Sequence, residues 1–356
     1  LRLAARLCGW QLAVLEAADE DIAAAFGLDR TSWPPGEAEA PALAAVIHAF
    51  PPDAAQRALP PELAARLATL ELVGHPSRLS PQHRTWDVIE QAAAASRRPR
   101  RAAPSPSQDE NGFLGTQPSG HPPPASLSAA QLIRQRRSAQ AFDPEGRLAR
   151  AGFLSLLDRT LPRPSSPPFD AGLAPADISL VLFVHRVKDT APGLYAFIRH
   201  PGHLEPLRRA MSADFRWEPA AANLPLYLLS PGDCREEAIA LSCRQDIAGW
   251  STFSLGMLAR FESLVRQRPW TYRRLFWEAG LIGQVLYLEA EAQGVRGTGI
   301  GCYFDDPVHA RLGLSGRDWQ SLYHFTIGVP LEDRRVQTLP PYFHLDPDRR
   351  GVRPRD

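Results

Sequence analysis

"TYRRLFWEAGLIGQVLYLEAEAQGVRGTGIGCYFDD", residues 271–306, is the stretch from which the rest of the chain is best read. Residues 271–294 carry the apolar period of one long helix. Gly280 and Gly283 lie inside it, and each costs about 1 kcal/mol relative to alanine. Glycines kept at that cost point to close helix packing, as at a dimer seam. Phe276, Trp277 and Tyr287 read as core or interface aromatics. A glycine-rich run follows, Gly297, Gly299 and Gly301, whose bare backbone lets a flat ligand approach closely. The dinucleotide fingerprint G-x-G-x-x-G needs a strand before it and a helix opening within it. Here a helix precedes and an acidic loop follows, so a Rossmann site is set aside.

Composition bounds what surrounds this stretch. The chain has 356 residues, a net charge of +1 and 44% hydrophobic residues. That balance suits a globular protein and gives no support for nucleic-acid or membrane partners. Its apolar runs are too short for a membrane-spanning helix of about 20 residues. Lys188 is the only lysine, so any lysine chemistry has one candidate. The four cysteines, Cys8, Cys234, Cys243 and Cys302, are scattered without a CxxC pair, which points to a reducing cytoplasm. Histidines and cysteines lack metal-ligand spacing, so no metal site is expected. The chain opens at Leu1 with neither a methionine nor a charged-then-apolar leader, as a fragment or a processed product does.

The Pro-, Ser- and Arg-rich stretch 98–126 reads as a linker. It separates an Ala- and Leu-rich, largely helical segment, 1–97, from a domain at 127–343, with a tail at 344–356. In the domain, 178–187, 224–229 and 323–329 read as strands. The runs 147–161, 245–265 and 271–294 read as helices. This mixture predicts an α+β fold. Residues 4–30 also line up with 290–316: helix end, glycine (Gly9, Gly294), strand-like stretch, acidic loop, and a helix ending in Gly-Leu. The reading is a duplicated domain whose first copy is cut short and has lost the glycine run.

Arginines cluster in "LIRQRRSAQAF" (132–142). Ser128 and Gln131 form a capping box for a helix from Ala129 to about Arg137. Arg134, Arg136, Arg137 and Ser138 then fall in its last turn, where cations complement the macrodipole. That accounts for one or two arginines. Two guanidinium groups plus a hydroxyl also make a compact phosphate grip.

The early "RRS", the "PSS" loop in "RPSSPPF" (163–169), the helix "FWEAGLIGQVLYLEAEAQG" (276–294) and "GTGIGCYFDDP" (297–307) together resemble the FMN-dependent nitroreductase superfamily over about 127–342. The helix is most similar to its SagB-type, thiazole/oxazole-forming dehydrogenase branch. The resemblance implies a sandwich around a mainly antiparallel sheet flanked by helices, here preceded by a partial helix-rich repeat. It implies FMN held between two domains, a homodimer, and NAD(P)H as transient reductant. By position, Arg136, Arg137 and Ser138 would hold the FMN phosphate and ribitol, with Arg334 or Arg335 of "GVPLEDRR" as a late basic partner. Pro164, Ser165 and Ser166 match the loop beside the flavin. Gln245 and Ser251 lie where a partner-facing helix would approach the ring, and Ile300, Gly301 and Cys302 match the stretch facing the ring edge and N5. Plainer readings stand beside these: Ser165 and Ser166 as a turn, Gln245 as a cap neighbour, and Cys302 as a small packed residue.

The implied chemistry is hydride transfer at the flavin to or from a small or peptidic substrate. Azoline-oxidising relatives are associated with a Lys-Tyr base, but here Asp189 follows Lys188. Tyr195 is the one acid–base candidate, although "GLYAF" (193–197) reads first as a strand with a packed tyrosine. The alternative is a catalytically inert scaffold of this fold that binds a peptide or protein partner.

Overall fold

The computed structural model describes residues 1–345 except 35, 50–57, 83, 103–126, 164–165, 174–175 and 334. Most of the expected linker, the tail beyond 345, and Pro164, Ser165 and Arg334 therefore lie outside the described residues. The N-terminal part contains α1 (Arg2–Leu7), β1 (Gln11–Val14), α2 (Asp19–Phe26), β2 (Ala45–His48), α3 (Pro61–Ala68) and α4 (Asp87–Ala95). Then come α5 (Ala129–Gln135), α6 (Arg150–Arg159), β3 (Ile178–Val184), β4 (Gly193–Phe197), α7 (Leu204–Ala210), β5 (Glu218–Pro219) and β6 (Leu226–Pro231). The chain continues through α8 (Arg235–Leu241), α9 (Ile247–Trp250), β7 (Phe253–Arg260), α10 (Glu262–Gln267), α11 (Thr271–Ala292), β8 (Arg296–Ile300), α12 (Asp305–Leu312) and β9 (Trp319–Gly328).

Seven strands form one antiparallel sheet in the order β5-β6-β4-β3-β7-β9-β8. β3 shows why both faces are covered. Ile178, Leu180, Leu182 and Val184 join one core with Phe153 of α6 and Leu275, Ile282 and Leu286 of α11. Val181 and Phe183 join a second core with Leu207 of α7, Leu241 of α8 and Leu312 of α12. Successive strand residues point to opposite faces, so helices must cover both. On α11 the buried Leu275, Ala279, Ile282, Leu286 and Ala290 recur every three or four residues and form one stripe.

The expected helix over 245–265 is corrected. Its middle is the interior strand β7, with the short α9 and α10 at either end. β7 is buried on both faces except at Arg260, so its apolar run lacks the alternation that marks a half-exposed strand. The helix expected to reach Arg137 ends at Gln135. Gly280 faces open space, and Gly283 packs on Phe325.

The two aligned stretches adopt the same succession. α1 leads through Gly9 (φ +75°) to β1 and α2, which ends at Gly27 (φ 71°, ψ 18°). α11 leads through Gly294 (φ +70°) to β8 and α12, which ends at Gly313 (φ 72°, ψ 16°). Each first strand then pairs antiparallel with the next one, β1 with β2 and β8 with β9. The N-terminal part docks on the larger unit through polar contacts. Arg2 donates to both carboxylate oxygens of Asp170, at 2.8 and 2.5 Å, and Arg273 of α11 donates to both of Asp19, at 2.8 and 2.6 Å. Among the described residues no helix is long and apolar enough to cross a membrane.

Candidate functional site

β8 is an edge strand, and its free side organises the candidate site. Pairing with β9 uses one side of β8. On the other, Ala139 N–H donates to the Gly297 carbonyl at 3.3 Å, and Thr298 Oγ1 donates to the Ala139 carbonyl at 2.7 Å. The segment after α5 is thereby laid along the edge. Its direction changes at Arg136, which has φ −50° and ψ 129°. Arg136 is thus the C-cap, and Arg137 and Ser138 lie beyond the helix, with Arg137 reaching back to the Arg134 carbonyl of its last turn.

Arg136 and Arg137 form no ion pair among the described residues. The Arg136 guanidinium lies over the Tyr287 ring, 4.7 Å from its centroid. Arg137 donates only to backbone carbonyls, those of Arg134, Arg136 and Leu339. Two half-buried cations without a carboxylate leave positive charge available to an anion. Ser138 is exposed, 3.0 Å from the Tyr287 hydroxyl, which itself accepts the Gly299 N–H at 2.9 Å. The phenol and the Ser138 hydroxyl are thus hydrogen-bonded at the exposed edge. Tyr287 is the residue that sequence reasoning missed. Its signal was an aromatic one turn or so before the end of α11, close enough to meet the strand that follows.

The glycines have a different local role from the one expected. A Cβ on Gly297 would lie 2.5 Å from the Phe325 ring, and one on Gly299 2.6 Å from the Tyr323 hydroxyl. Both are needed so that aromatics of β9 can pack under the strand. The edge itself is main chain. The peptides of 297 and 299 face outward, and Gly301 follows directly after the strand.

The other expected residues are dispersed. Gln245 donates through Nε2 to the Ser242 and Cys302 carbonyls, at 2.9 Å each, and so fixes the loop after Gly301. Cys302 is not a packed residue. It is exposed and joined to Cys243 in a disulfide. A separation of 59 residues hid this pair from spacing rules. Ser251 is wholly buried and spends its hydroxyl on the Ala248 carbonyl, so it has no face for a ligand. Tyr195 is a core residue whose hydroxyl donates to the Ala191 carbonyl, and burial raises its pKa. Ser166 forms a turn with Arg163 and Phe169. The short turn that follows, Phe169–Ala171, packs against Ala5 and Leu12. Arg335 is exposed and held bidentately by Asp333, which leaves it no free charge.

Around β8, burial pushes the Tyr303 and Tyr323 phenols up and the His324 imidazole down to about 4. None of these three exchanges a proton near neutrality. The edge carries positive charge and can bind an anion.

No family model and no curated protein matches the chain. Among solved structures, a candidate nitroreductase of Anabaena variabilis superposes over 93% of this chain with a TM-score of 0.60 at 19% identity. The chain spans 62% of the length of that protein. A candidate nitroreductase of Ralstonia eutropha aligns over 65% of this chain and 96% of its own, with 16% identity and a TM-score of 0.43. The Escherichia coli microcin synthetase complex with truncated pro-microcin bound aligns over 63% and 80%, with 21% identity and a TM-score of 0.41. With its antiparallel sheet between two helical layers, the chain has the nitroreductase-like α+β sandwich fold.

Proposed function

We propose that the chain is an FMN-dependent oxidoreductase. The observation that carries this reading is the pair Arg136 and Arg137, uncompensated by carboxylates and set beside Ser138 on the outer edge of β8. The donor set fits a phosphomonoester, because guanidinium forks and a hydroxyl complement its oxygens. Arg136, Arg137 and Ser138 hold the phosphate and ribitol, Tyr287 orients Ser138, and the Gly301 peptide faces the ring. Bound there, FMN supplies two-electron hydride chemistry at N5. The protein's part is position and charge. NAD(P)H is the reductant, and the substrate is small or peptidic. The likeness of the α11 sequence to SagB-type dehydrogenases supports that branch.

In this reading residues 127–343 form the FMN domain, and 1–97 is a degenerate partial copy. The matched order of α1-β1-α2 and α11-β8-α12 supports the duplication. Gly280, with open space where a side chain would be, supports close approach by a second unit, in a homodimer. Purified protein incubated with FMN and desalted should release about one flavin per chain on heating, since one grip holds one phosphate. Protein that stays colourless after incubation contradicts the reading and leaves the inert scaffold.

A further inference from the structure

Two loops meet beyond the end of β8. One follows α8 and carries Cys243. The other follows Gly301 and carries Cys302. Their Cα atoms are 5.9 Å apart and the side chains are joined. Cys302 is exposed and Cys243 half-buried, so the bond is open to small reagents. The other cysteines differ: Cys8 is exposed and unpaired, and Cys234 is buried, its thiol pushed up to about 12 by burial.

The disulfide is not the only tie between these loops. Gln245 bridges the Ser242 and Cys302 carbonyls through one amide nitrogen. Phe304 N–H donates to the Leu241 carbonyl at 2.9 Å. These bonds keep the two cysteines facing each other whether or not the sulfurs are joined, so the bond can open and close without rebuilding the backbone. Cys243 and Arg244 also hold left-handed conformations, φ 53° and 59°, which non-glycine residues keep only where their surroundings enforce them.

We infer that Cys243–Cys302 is a redox-active disulfide that exchanges two electrons with FMN held at the Gly301 edge and passes them to a small-molecule disulfide. The inference rests on the FMN reading above. Reduced FMN gives up two electrons and two protons. The Cys243–Cys302 bond breaks and two thiols form, with FMN left oxidised. The dithiol then reduces a small disulfide to two thiols by exchange through a mixed disulfide, and the Cys243–Cys302 bond re-forms.

The test uses FMN-loaded full-length chain, reduced anaerobically by light with EDTA, quenched with a maleimide and read by peptide mass spectrometry. Labelling of Cys243 and Cys302 should be absent in the dark and rise with flavin bleaching, while Cys8 is labelled throughout. Dithionite titration should consume about four electrons per flavin, against about two in Cys302→Ser, because each couple carries two. Full flavin bleaching with both cysteines unlabelled overturns the inference and leaves the FMN reading intact. Labelling of both in the dark also overturns it. A protein without a flavin spectrum overturns both readings.

Discussion

Tyr287 joins three parts of the site, two through its hydroxyl and one through its ring. It accepts from Gly299, meets Ser138, and its ring lies under Arg136. Tyr287→Phe keeps the ring and removes the hydroxyl, leaving the Gly299 N–H without its partner. The expected cost is about 1–2 kcal/mol in urea unfolding, the scale of an orphaned donor. FMN affinity should fall as well, because Ser138 loses its orientation. Unchanged unfolding and unchanged affinity would show that the phenol is incidental. The cluster proposed to grip a phosphate was visible in the sequence, because two arginines and a serine in a row need no fold to be seen. Tyr287 was not, because its partners are 149 and 12 residues away. Ser251 and Tyr195 failed as candidates for the same reason: local sequence does not say that a hydroxyl is already used inside a core.

Elements were legible where a local signal existed. The capping box at Ser128 and Gln131 forms as expected, with Gln131 N–H donating to Ser128 Oγ and Ser128 N–H to Gln131 Oε1. Ser128→Ala should cost about 1 kcal/mol and should loosen FMN binding, because α5 delivers Arg136 to the strand edge. No change in unfolding would mean that α5 is held by packing alone. The long α11 was read at nearly its full length, since its stripe repeats over many turns. β7 was misread, because a strand buried on both sides carries no period that separates it from a buried helix. The tie between α11 and the sheet was invisible in sequence. Arg199, 1% exposed, pairs with Glu278 of α11 and donates to the Thr160 and Ile178 carbonyls. Arg199→Met should destabilise by roughly 3–5 kcal/mol, because it takes the guanidinium from a buried carboxylate whose other oxygen accepts the Asp177 N–H. A loss below about 1 kcal/mol, the value for an exposed pair, would contradict the buried ion pair.

Across the whole molecule, buried titrating groups set the response to acid. Burial lowers His185 and His324 to about 4 and His203 to about 3. Unfolded histidine binds its proton near 6.5, so the stability from these three is full above that pH and is lost as pH falls. Asp177 runs the other way. Burial, and then Glu278, raise it to about 7, so the native state keeps a proton that the unfolded chain releases above about 4. Between about pH 6 and 4, unfolding takes up three protons and releases one. Stability should therefore fall by roughly 3 kcal/mol per pH unit. A flat urea midpoint from pH 6 to 5 would contradict the neutral histidines. The matching succession of α1-β1-α2 and α11-β8-α12 was legible because left-handed glycines punctuate both stretches. The docking of Asp19 on Arg273 was not, being a contact over 254 residues. The central claim is that Arg136, Arg137 and Ser138 grip the phosphate of FMN, and comparing FMN with riboflavin, which lacks only that phosphate, tests it most directly. By fluorescence titration FMN should bind the wild-type chain at least about 100-fold more tightly than riboflavin, as two charge-assisted contacts of about 1.5 kcal/mol or more each require. In Arg136→Ala/Arg137→Ala that preference should collapse to within about tenfold; equal affinity for the two flavins in the wild type, or a preference that survives the double substitution, contradicts the account.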